Sequence, residues 1–115
     1  MSILTADSVV IVRAPLKTDK YGNPSSVRDW ASATRTPVAG VSVQPDGSAE
    51  ATGDRTSTIT GWRLMTAKGR DLDLLRTDRV EFDGMTLEVD GKVGRFRMGG
   101  RVHHVEARLK EVSGG

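Results

Sequence analysis

The sequence predicts a mainly β protein, a small β-barrel or sandwich of roughly six to eight strands with at most short helical pieces. Three observations carry that expectation. Apolar and polar residues alternate over short segments instead of recurring every three or four positions. Thirteen glycines and many β-branched residues punctuate and fill those segments as turns and strands do. Asp83-Gly84 also separates two alternating runs, and that dipeptide is a strong signal for a two-residue hairpin.

Val9 to Val12 is a short apolar run that reads as a strand buried on both faces. Asp19-Lys20-Tyr21-Gly22-Asn23-Pro24 reads as a turn, since Gly22 and Asn23 tolerate positive φ and Pro24 confines Asn23 to extended conformations. Val38 to Gln44 alternates, with Ala39, Val41 and Val43 on one face and Ser42 and Gln44 on the other. Pro45 to Arg55 is the longest polar stretch between strands, and composition makes it a surface loop. Thr56 to Thr66 reads as the next strand, Trp62 and Leu64 sharing one face and Ile59 and Met65 the other. Short helical turns fit only near Leu72 to Arg76 or within Ser48 to Thr52. In the hairpin, Val80 and Phe82 precede the turn, and Met85, Leu87 and Val89 follow it. A two-residue loop pairs Phe82 with Met85 and Val80 with Leu87, which puts every apolar side chain on one face. The last strand, Val102 to Val112, turns Val105, Ala107 and Leu109 inward and Glu106, Arg108 and Lys110 outward.

Composition narrows the function classes. At 115 residues the chain forms one domain with one modest core. Lys+Arg 17 against Asp+Glu 15 leaves a net charge of only +2, too little to imply nucleic-acid binding by itself. The absence of cysteine removes disulfides, thiolate zinc sites and thiol catalysis. No apolar run approaches the roughly 20 residues of a membrane span, and Met1 to Asp7 has no signal-peptide character. A soluble intracellular protein is the expectation.

Candidate chemical sites are sparse. His103 and His104 are adjacent, so in a regular strand they point to opposite faces and cannot share a site unless a bulge intervenes. Asp71, Asp73 and Asp78 lack the glycine and glutamate spacing of a calcium loop and read as a solvated turn. Gly91, Gly94, Gly99 and Gly100 lie among Lys92, Arg95, Arg97 and Arg101 without the order of a phosphate-binding loop. From Lys92 to Lys110 there are six basic residues and a single acid, Glu106. The few aromatic residues read as core, which argues against a base-stacking platform. No nucleophile–base–orienter set is visible, so an enzyme is not expected. Metal and cofactor sites are not expected either.

The order of several short motifs resembles the head-closure, or stopper, proteins of the head–tail connector of long-tailed, siphovirus-like bacteriophages. The residues concerned are Asp19-Lys20-Tyr21-Gly22-Asn23, Asp29-Trp30, and Val43-Gln44-Pro45 followed by Ser48 and Glu50. They continue with Trp62-Arg63-Leu64, Asp78-Arg79-Val80, Gly84, Val89, Gly91 and His103-His104-Val105-Glu106, so the likeness covers nearly the whole chain. It implies a small β-barrel virion protein that assembles as a ring, a hexamer or dodecamer. The ring would sit below the portal and its adaptor, help retain packaged double-stranded DNA and offer the surface on which tail proteins dock. No membrane is implied, and the host cytoplasm is where assembly would occur. In such proteins the loop after the Gln-Pro motif faces the channel. Carried over, that assigns Asp46, Gly47, Ser48, Ala49, Glu50, Ala51, Thr52, Gly53 and Asp54 to the channel lining. There, acids multiplied around a ring would repel DNA phosphates, and the two glycines would let the loop switch. Lys92, Arg95, Arg97 and Arg101 are then expected to face neighbouring subunits or the adaptor. Two alternatives remain: a tail-side ring protein of the tail-terminator type, or a small nucleic-acid-binding β-barrel using Arg95, Arg97, Arg101 and Arg108.

Overall fold

A computed structural model describes residues 6–46 and 61–112. Nine strands run through these residues: β1 (Asp7–Arg13), β2 (Leu16–Thr18), β3 (Pro24–Arg28), β4 (Thr34–Pro45), β5 (Trp62–Thr66), β6 (Arg79–Phe82), β7 (Met85–Val89), β8 (Gly94–Met98) and β9 (Arg101–Glu111). The sheet order is β5-β4-β1-β6-β7-β9-β8, and β5 also pairs with β9. Six antiparallel strands therefore close into a barrel, with β8 attached outside the ring of strands. The expected mainly β barrel is what the chain forms. Among the described residues no helix is long and apolar enough to cross a membrane.

The core is the barrel interior. Val9, Ile11, Val41, Val43, Leu64, Val80, Leu87, Val105, Ala107 and Leu109 are buried there, with Trp62, Phe82 and Met85 packed against them. A six-stranded barrel of this size is filled by side chains and is not itself a pore. The Asp83-Gly84 turn has φ values of 51° and 76° and pairs Phe82 with Met85 and Val80 with Leu87, the register read from the sequence.

Several expectations need correcting. Ala39 does not share a face with Val41: Gly40 is an extra residue in β4, at φ +75°, between partners of Asp7 and Ser8. The bulge reverses the alternation, leaving Ala39 exposed and Val38 against the core. Residues Leu72 to Arg76 form no helix. Leu72 and Leu74 are both buried while Asp71, Asp73 and Leu75 are exposed, a two-residue period that only an extended chain produces. The one helical turn among the described residues is a 3-10 segment at Trp30–Ser32. Tyr21 and Phe96, expected in the core, are exposed. Thr56 to Thr60, including Ile59, and the helical turn considered for Ser48 to Thr52 lie outside the described residues.

Because the barrel is antiparallel, its connections sort to two ends. One end holds the β2–β3 hairpin, the 67–78 connection and the β8–β9 hairpin. The 67–78 connection puts Leu72 and Leu74 into the core cluster, closing that end. The other end holds the β6–β7 turn and the facing ends of β4 and β5, Pro45 and Trp62, with residues 47–60 between them outside the described residues.

Candidate functional site

The root of the 47–60 connection is built by β4 and β5. Pro45 pairs with Trp62 in the last rung of that ladder, and the Asp46 N–H donates to the Gly61 carbonyl at 2.8 Å. The Asp46 carboxylate is held by Arg108 of β9 at 2.9 Å and lies 3.8 Å from Arg63 of β5. Three neighbouring strands thus converge on the first residue of the candidate loop. Gly61 is required at the exit, since a Cβ there would lie 2.8 Å from the Leu109 carbonyl oxygen. Sequence reading missed Gly61, and its only signal was a glycine inside an alternating strand pattern. Of the residues assigned to the channel lining, Asp46 is described. Gly47, Ser48, Ala49, Glu50, Ala51, Thr52, Gly53 and Asp54 lie outside the described residues.

The basic segment becomes a projecting hairpin. Gly99 and Gly100, at φ 58° and 79°, form a two-residue turn that pairs Met98 with Arg101. Gly-Gly between extended runs is a hairpin signal that the sequence offered and that the phosphate-loop comparison obscured. The four basic residues are not equivalent. Arg95 turns back onto the barrel end, donating to the Asp71 carboxylate at 3.0 Å and the Leu72 carbonyl at 2.8 Å. Arg97 and Arg101 on the hairpin and Lys92 just before it are exposed and have no ion pair within 4.0 Å among the described residues. A surface for partners therefore draws on those three, with Arg95 anchoring the hairpin.

The histidines meet because the hairpin is bulged. Phe96 pairs with His104 and Arg97 with Val102, which leaves His103 as the extra residue on β9. Its ring turns toward its neighbour, and the two Nδ1 atoms are 2.8 Å apart. His104 Nε2 lies 2.6 Å from Glu106 Oε2. The set is self-consistent when His104 donates from Nε2 to the carboxylate and accepts at Nδ1 from His103. Phe96 stacks on His104 with ring centroids 4.8 Å apart. This chain of contacts fixes the strand bulge and orients Phe96. Among the described residues no group of three His, Cys, Asp or Glu side chains could hold a metal ion.

The aspartates of the 67–78 connection form an arginine network. Asp78 is buried and accepts from Arg13 Nε and Nη2 at 3.0 and 2.8 Å and from the Leu75 N–H at 2.8 Å. Arg13 also reaches Asp73, holding that carboxyl below its usual range. The Asp71 carboxyl is lowered by the Leu72 N–H first and Arg95 second. Arg79 stacks its guanidinium 3.9 Å above the Trp30 ring. Trp30 and Arg79, far apart in sequence, thus have a shared structural role.

No family model and no curated protein matches the chain. Its fold is similar to the solution structure of protein SF1141 from Shigella flexneri 2a, with a TM-score of 0.66 over 100% of both chains at 20% identity. That likeness concerns the fold.

Proposed function

We propose that this chain is a stopper-type head–tail connector subunit of a long-tailed bacteriophage, working by ring assembly and loop gating. The observation that carries the reading is the loop root: a filled barrel presents a long acidic connection, entered at an aspartate clamped by two arginines from adjacent strands. A channel-lining loop has to move while its base stays fixed, and this base is tied to β4, β5 and β9. Since the barrel interior is packed, the DNA channel would be the space enclosed by the ring of subunits. The motif order quoted above supplies the class. Knocking out the gene in its source phage and imaging the particles tests it. Complete tails lying apart from heads that have lost their DNA are expected; full heads with normal tails attached would contradict the proposal.

A nucleic-acid-binding barrel is the weaker reading. Arg95 and Arg108, two of its four arginines, are engaged with Asp71 and Asp46. Binding to free DNA that falls steeply with salt would favour that alternative.

A further inference from the structure

We propose that the β8–β9 hairpin of one copy seats in a groove beside the β6–β7 turn of the next copy, a contact that presupposes the ring proposed above and supplies its subunit interface. On the hairpin, Phe96 is 48% and Met98 69% exposed. Among the described residues β8 pairs only with β9, leaving its outer edge open. From Lys92 to Arg101 the segment carries four basic residues and no acidic one. Phe96 and Met98 share one face of β8 and Arg95 and Arg97 the other; an exposed apolar pair on an open strand edge is a surface built for a partner.

The groove is complementary. It has a volume of about 480 Å³, with apolar walls from Val10, Pro37, Phe82 and Met85. Its polar rim carries Asp83 and Glu81; Glu81 is paired with Arg35 at 3.2 Å, so Asp83 is the rim acid with no ion pair within 4.0 Å among the described residues. The apolar hairpin matches the apolar groove in character, and its free Arg97 finds an opposite charge in Asp83. They cannot meet within one chain, because the hairpin leaves one end of the barrel and the β6–β7 turn lies at the other. Two different patches on one molecule make a heterologous contact, the kind that propagates from copy to copy and closes into a ring when the rotation allows. The bulge at His103 and the Phe96–His104 stack fix how the hairpin presents its apolar face, and Arg95 ties its base to the 67–78 connection.

The chain has no cysteine, so a pair introduced at two exposed positions reports directly. Met98→Cys combined with Thr86→Cys, concentrated and mildly oxidised, should give a ladder of covalent oligomers beyond the dimer; neither single variant should. Ring-sized particles in light scattering without a ladder would overturn this seat and leave the ring standing. A chain that stays monomeric to millimolar concentration would overturn the seat, while the ring itself is decided by the particles. As a second readout, Arg97→Glu should weaken assembly at least about tenfold, and adding Asp83→Arg should restore it. Unchanged assembly in Arg97→Glu, or no recovery in the double variant, would overturn the pairing.

Discussion

Replacing Asp78 with alanine strips the Arg13 guanidinium of its buried partner and leaves the Leu75 N–H without an acceptor. Asp78→Ala should therefore cost about 2–4 kcal/mol, read from urea or guanidinium midpoints. Gly61→Ala drives a methyl group against the Leu109 carbonyl and should cost about 1–3 kcal/mol by the same measurement. The exposed partners behave differently. Asp71 and Asp73 have carboxyl pKa values lowered in the fold, so the stability they contribute is present above the unfolded value of about 4. It is lost as pH falls through the folded values, because the unfolded chain takes up protons first. Asp71→Asn with Asp73→Asn should flatten the decline of the denaturation midpoint below pH about 4, by a small amount since both groups are solvated.

The proposed roles of the β4–β5 connection and the β8–β9 hairpin are testable apart from the stability of the barrel. Deleting Gly47 to Gly53 removes no residue of the described core, so the melting temperature should stay within a few degrees while DNA retention or tail joining fails. Normal infectious particles from that deletion would take the loop out of the mechanism. The two elements were unequally legible in sequence. The Asp83-Gly84 hairpin was readable to its register because turn chemistry and alternation agree there. The β8–β9 hairpin was not, because the Gly-Gly turn sits among arginines that drew attention to anion binding. Bulges account for most of the other differences. One extra residue at Gly40 moved Ala39 to the opposite face, and one at His103 brought together two rings that a regular strand would separate. Alternation carries no mark of such insertions unless a glycine with positive φ is suspected. The clamp on Asp46 was also invisible, since Arg63 and Arg108 reach it only through closure of the barrel between β5 and β9.

The described residues form a filled barrel with the Asp46 clamp at one end and a basic apolar hairpin at the other. With the hairpin at one end of the barrel and the β6–β7 groove at the other, the proposed contact joins neighbouring copies head to tail. In the proposed ring, the packed barrels would form the fixed wall around the opening, and DNA retention would need no covalent chemistry. The proposed role is played out in an assembled particle, and particles report on it. Electron microscopy of the products of a source phage lacking this gene should show complete tails lying free beside heads emptied of DNA, and supplying the intact chain should restore joined virions. Full heads carrying normal tails in its absence would contradict the account.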